Sequence, residues 1–142
     1  MSQTNKETLL AFVEEVINQA RYERLNDLVL ENFVELDPLP GQQQGREGLK
    51  DVLVAFRAGF PDLHWAIEEM IIEGDKVVTR FTWTGTHRGA FLGIPATGSS
   101  VAVKGVVIDS LEGGKMADSR ILMDTLGLMQ QLGVIPAPPP AS

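Results

Sequence analysis

Gly85-Thr86-His87-Arg88-Gly89-Ala90-Phe91-Leu92-Gly93-Ile94-Pro95-Ala96-Thr97-Gly98 is the stretch on which the fold turns. Gly85, Gly89, Gly93 and Gly98 reach backbone angles that other residues avoid, and Pro95 cannot donate to a strand ladder. On either side lie runs of alternating apolar residues, 76–84 and 100–111. The stretch therefore reads as a structured loop joining two strands, at one end of an open sheet and beside a cavity.

Working outward, 63–72 and 76–84 are expected strands joined at Glu73-Gly74-Asp75, a hairpin turn. Strands at 100–111 and 115–123 meet at Glu112-Gly113-Gly114. Asp124 reads as the N-cap of a short helix carrying Leu126, Leu128, Met129 and Leu132, which Gly133 ends. The first half has a different period. Thr4 and Glu7 have capping-box spacing, and Leu9, Phe12, Val13, Val16, Ile17 and Ala20 recur at helical spacing over about 5–21. A second helix is expected at 25–31, a short strand at 33–37 stopped by Pro38 and Pro40, and a third helix at 46–59. The layout is α+β: a curved antiparallel sheet packed on three N-terminal helices, enclosing an apolar pocket. It forms one domain, 1–133, followed by a Pro-rich tail, 134–142.

Composition narrows the chemistry. With 142 residues and 44% hydrophobic content, the chain can bury a core without covalent staples. It has no cysteine, which excludes disulfides, thiolate metal sites and thiol nucleophiles. His64 and His87 are the only histidines, so a histidine-rich metal site is excluded as well. A net charge of −7 repels phosphate backbones, and nucleic acid is not an expected partner. No apolar run approaches the ~20 residues of a membrane span. The polar start, Met1 to Glu7, lacks a signal-peptide apolar region, and the expectation is a soluble cytoplasmic protein.

Strand alternation sorts the candidate site residues. Val101, Val103, Val107 and Asp109 share one face, as do Phe81 and Trp83 on the strand before, and Ala117, Ser119, Ile121 and Met123 on the strand after. With helix residues Phe12 and Phe56 and loop residue Phe91, the expected pocket lining is Phe12, Phe56, Phe81, Trp83, Phe91, Val103, Val107 and Ile121. Its expected occupant is a small hydrophobic ligand or substrate. Candidate catalytic groups are Asp37, His87 and Asp109. Each has a plainer reading: Asp37 as a turn former before Pro38, His87 as a brace for its loop, and Asp109 as a solvated strand-end residue. Glu35 shares parity with Asp37, and Glu69 with Trp65 and Ile67. Arg80, Lys104, Asp118 and Arg120 fall on the outer face as cross-strand charge pairs or an interface.

The ordered set Gly45-Arg46-Glu47-Gly48-Leu49, Phe60-Pro61-Asp62-Leu63, Glu73-Gly74-Asp75-Lys76-Val77-Val78, the opening loop, and Asp124 to Gly133 resembles the SnoaL-like polyketide cyclases of the nuclear-transport-factor-2-like (NTF2-like) superfamily. The resemblance implies an NTF2-like cone, a homodimer through the outer sheet face, and no metal or organic cofactor. For the characterised cyclases it implies an intramolecular aldol ring closure begun by a base that takes a proton α to carbonyls. Aligned on the helix after Asp124, the family's aspartate base falls on Ile121, its histidine on Val107 and its glutamine on Gly105. The expectation is a cofactor-free cyclase or isomerase of a small hydrophobic carbonyl or ester compound, with that pair replaced. The alternative is a non-catalytic binding protein on the same fold. Epoxide hydrolysis ranks lower, because its Asp-Arg-Asp arrangement would need Arg80 and Asp109 on one face.

Overall fold

The computed structural model describes residues 2–136. Of the expected tail, 137–142 lie outside the described residues. Helix α1 (Ser2–Ala11) runs into a π-helical segment, Phe12–Asn18. The wider winding, with bonds reaching five residues along, turns Phe12, Val13, Val16 and Ile17 inward. The helix starts ahead of the expected cap, so Thr4 lies inside it. Its Thr8 hydroxyl donates to the Gly114 carbonyl at 2.7 Å and pins this end to the last hairpin.

A 3₁₀ turn, Tyr22–Arg24, and the short helix α2 (Leu25–Leu28) lead into β1 (Val29–Glu35). Helix α3 (Gly45–Gly59) follows, then β2 (His64–Glu73), β3 (Lys76–Thr86), β4 (Ser100–Glu112), β5 (Lys115–Met123) and α4 (Thr125–Gln131). The sheet order is β1-β5-β4-β3-β2. From β2 to β5 it is the expected antiparallel meander. The expectation of a wholly antiparallel sheet is corrected at one edge, where β1 pairs parallel with β5. A parallel pair needs a long crossover, which α3 and the three strands after it supply. Pairing with β5 also extends the chain from Val29, where the helix was expected to continue to 31.

Two bulges re-aim side chains. In β2, Ile67 faces Phe81 while Glu69 faces Arg80, leaving one extra residue between them. Trp65 and Ile67 point inward before that break, Met70 and Ile72 after it, and Glu69 reaches Arg80 outside at 3.3 Å. In β5, Ser110 opposes Asp118 but Leu111 opposes Met116. Met116 is therefore the buried residue in place of the expected Ala117.

Helix α4 is closed at both ends. The Asp124 carboxylate accepts the Gly127 N–H at 2.8 Å, and Gly133 and Val134 donate to the Gln130 and Met129 carbonyls, a Schellman ending. The opening loop is tied to α3. Thr86 donates its N–H and its hydroxyl to the Asp62 carboxylate, at 2.7 and 2.8 Å, and Arg88 and Gly89 donate to the Gly59 carbonyl. A Cβ at Gly89 would fall 2.2 Å from the Ala58 carbonyl oxygen, so this approach admits only glycine. Among the described residues, no helix is long and apolar enough to cross a membrane.

The helices are tied to the sheet by Arg57. Its guanidinium donates to the carbonyls of Ile17 (2.6 Å), Asn18 (3.2 Å), Pro61 (3.0 Å) and Leu63 (3.2 Å). Three segments thus share one cation, which also satisfies carbonyls at the end of the first helix. Replacing Arg57 with Met is expected to lower unfolding free energy by about 2–4 kcal/mol, since several carbonyls lose a charged donor together. Arg80→Ala, which breaks the exposed pair with Glu69, is expected to cost under about 1 kcal/mol. Urea unfolding of both variants checks the contrast; equal losses would contradict it.

Candidate functional site

Between the inner face of the sheet and the helices lies a cavity of about 110 Å³. The helical wall comes from Leu9, Phe12, Val13, Leu49, Leu53 and Phe56. Opposite, Val107 on β4 and Ile121 on β5 are register partners, and both line the space. Most of the lining is apolar. Its polar groups are Glu35, Asp37, Gln42, Thr79, Asp109 and Ser119.

Three of these stand in one row across the sheet. Glu35 on β1 pairs with Ser119 on β5, and Ser119 pairs with Asp109 on β4. Two carboxyls therefore flank one hydroxyl, their backbones two strand spacings or roughly 10 Å apart. Alternation produces the row: Asp109 lies two residues beyond Val107, and Ser119 two before Ile121, so all four face inward.

The electrostatics follow from burial. Asp109 is 2% exposed. Desolvation pushes its carboxyl up from 3.8 to about 7. A hydrogen bond from Ser119 pulls it down, and the charges of Glu35 and Asp118 push it up further. Its Oδ1 has no hydrogen-bond partner within the chain. Glu35 is half-buried, and desolvation raises it from 4.5 to about 7, aided by the neighbouring Asp37 charge. Against that, the Asp37 N–H donates to Glu35 Oε2 at 3.1 Å and favours the ionised form. Both carboxyls are thus raised to about 7, so each can hold or release a proton near neutral pH, in one water-poor space. Groups poised near the working pH are suited to proton transfer.

The sequence-derived candidates separate on this geometry. Asp109 lines the cavity and is buried, against the reading of a solvated strand end. Asp37 lines its mouth and is exposed. His87 is fully buried but does not line the cavity. Its ring packs on Phe60 with centroids 5.3 Å apart, and its Nδ1 accepts the Thr97 N–H at 3.2 Å. Its backbone also bonds Ser99 and Gly98, so the residue braces the two ends of the loop against each other. Of the expected lining, Phe12, Phe56, Val107 and Ile121 are in the cavity wall. Phe81, Trp83, Phe91 and Val103 are not. They are corrected to core positions: Phe81 stacks on Trp65 at 4.3 Å, Trp83 meets Phe56 and Phe60, Phe91 packs on both phenylalanines, and Val103 pairs with Trp83. This aromatic cluster fills the loop end of the cone and leaves the open space beside β1.

Glu35 was legible by parity and Ser119 by alternation, but which residues sit beside them depends on β1 lying against β5. At Gly105 a Cβ would come 2.4 Å from the Phe81 ring and 2.6 Å from the Leu122 carbonyl oxygen, leaving no room for a glutamine side chain. Among the described residues, no group of three or more His, Cys, Asp or Glu could hold a metal ion.

The sequence profile of the SnoaL-like polyketide cyclases matches residues 7–132. No curated protein matches the chain. Among solved structures, TsrD from Streptomyces laurentii superposes with a TM-score of 0.87 at 28% identity, covering 95% of this chain and 98% of that one. A candidate SnoaL-like polyketide cyclase from Jannaschia sp. CCS1 gives 0.84 at 27%, covering 97% and 95%. A candidate polyketide cyclase from Bacillus cereus ATCC 10987 gives 0.81 at 30%, covering 93% and 82%.

The raised carboxyls predict a pH dependence of stability. A carboxyl whose folded pKa lies above its unfolded value binds its proton more tightly when folded. Its contribution is complete below about pH 4 and is lost as pH rises through about 7. For Asp109 the ceiling is about 4 kcal/mol, three units at 1.36 each. Melting temperature is therefore expected to fall between pH 5 and pH 8, and Asp109→Asn to flatten that fall. Parallel pH profiles for parent and variant would contradict the assignment.

Proposed function

The chain belongs to the SnoaL-like polyketide cyclase family, and on that premise we propose that it is a cyclase or isomerase that moves a proton on a small hydrophobic carbonyl or ester compound. The observation that carries this reading is the in-register row Glu35–Ser119–Asp109 facing an apolar cavity. Glu35, whose carboxylate accepts a backbone N–H, takes a proton from the carbon next to the carbonyl. The C–H electron pair moves to the carbonyl oxygen, where the Asp109 carboxyl donates its hydrogen bond. Returning the proton to a different carbon completes an isomerisation. Attack of the enol carbon on a second carbonyl of the same molecule closes a ring instead. Both use only side-chain proton transfer and electrostatic stabilisation, chemistry that needs no cofactor. The pair acts in place of the family's histidine and aspartate, whose aligned positions hold Val107 and Ile121. Asp37 stays in this proposal as a charge at the mouth beside Glu35, and His87 as the brace of the loop.

A second reading has its own support. Val107 and Ile121 stand side by side in the cavity wall and neither carries a polar side-chain atom, as befits a protein that holds an apolar ligand without transforming it. For the assembly, we assign a homodimer to the outer sheet face, where Val106, Ile108 and Leu122 are exposed. A solution mass of one chain at micromolar concentration would remove it.

Deuterium uptake next to the carbonyl of cyclohexanone in D₂O tests the enzymatic reading. The parent is expected to accelerate exchange, and Glu35→Gln and Asp109→Asn each to lower the rate by about 10²–10⁴-fold. Exchange no faster than in the doubly substituted chain favours the binding reading. In that case Val107→His combined with Ile121→Asp is expected to create the activity.

A further inference from the structure

Thr79 sits on β3 opposite Val107, two residues along from the position facing Asp109. It is 1% exposed and lines the cavity. Its Oγ1 makes no hydrogen bond within the chain, and neither does Asp109 Oδ1. A buried hydroxyl with no partner is costly, and valine would fill the same volume without that cost. The two orphan oxygens belong to diagonal neighbours on adjacent antiparallel strands, roughly 7–8 Å apart at the backbone, and share the inner face. At that spacing both side chains can reach a single atom placed between them.

We propose that Thr79 and Asp109 together grip one oxygen of the substrate, and that the buried end of the site therefore takes the carbonyl of a single-ring or short-chain compound. This rests on the acid–base reading above. The Thr79 hydroxyl rotates freely, so it donates to the carbonyl in the ground state and more strongly to the enolate oxygen as charge develops. Size supports the substrate class. About 110 Å³ is less than the roughly 150 Å³ that takes one benzene ring, so the buried end receives the carbonyl and part of a ring or chain while the remainder extends toward the mouth at Asp37. Apolar walls from Phe12, Leu53, Phe56, Val107 and Ile121 surround the rest of the ring, and Glu35 stands beside its α-carbon. Thr79 is then an orienting residue that touches substrate, with Ser119 holding Asp109 from the other side.

Two probes of matched shape test the grip: cyclohexanone, which has an acceptor oxygen, and methylenecyclohexane, which has none. The parent is expected to bind the ketone more tightly than the hydrocarbon. Thr79→Val is expected to weaken ketone binding about fivefold to tenfold and to move the bound carbonyl ¹³C resonance upfield. Hydrocarbon binding should stay within twofold, and Thr79→Ser should retain the parent's preference. Melting of Thr79→Val is expected to be no lower than that of the parent. If valine does not fold, Thr79→Ala carries the same comparison. A parent that binds the probes equally, or binds neither, overturns the proposal, as does a loss in Thr79→Val that is the same for both. Thr79-dependent ketone binding without deuterium exchange in the parent would leave the grip standing and remove the acid–base reading. Exchange that survives with unchanged binding in Thr79→Val would remove the grip alone.

Discussion

Keeping the Asp109 carboxyl out of water is the constraint around which the inner face is built. Its raised pKa corresponds to as much as about 4 kcal/mol against the charged form at neutral pH. Burial of two large apolar side chains, at about 1.5–3 kcal/mol each, offsets that. The loop end of the cone contains well more than two: Phe56, Phe60, Trp65, Phe81, Trp83 and Phe91 form one aromatic cluster. Dense packing there allows a gap and a reluctant carboxyl at the other end. Structural and chemical roles are thus divided along the length of the same strands.

The glycine-rich loop belongs to the packed end. Thr86, Arg88 and Gly89 fasten it to Asp62 and Gly59, and His87 ties its entry to its exit. A histidine in a loop beside a cavity invites a catalytic reading, yet its ring stacks on Phe60, its Nδ1 accepts the Thr97 N–H, and the residue does not line the cavity. Arg57 works at a larger scale, with one cation serving carbonyls of the first helix and of the turn before β2. By this means the helical lid keeps its distance from the sheet, and the cavity stays open.

Much of this was legible in the residues. Period-two runs located β3, β4 and β5 nearly to the residue, since one buried face leaves a regular signature. The inward position of Asp109 followed from the same parity. Less legible were the two bulges. One extra residue in β5 replaces Ala117 by Met116 on the inner face, and one in β2 sends Glu69 outward, because a bulge resets the alternation from which parity is counted. The pocket lining was half misread for a related reason. Phe81, Trp83, Phe91 and Val103 do face inward, but facing inward does not say whether the space in front is filled.

By itself the sequence determined the α+β order, the inner and outer faces of β3 and β4, the capped final helix and the family frame, because each is written in local periodicity or in neighbouring residues. Only the tertiary structure decided that β1 lies parallel against β5. That pairing sets Glu35 beside Ser119 and Asp109, residues more than seventy positions away in the chain. It also decided which apolar residues fill the cone and which surround an opening. Both outcomes depend on long-range register and on how far helices stand from a sheet, and no local pattern carries either distance.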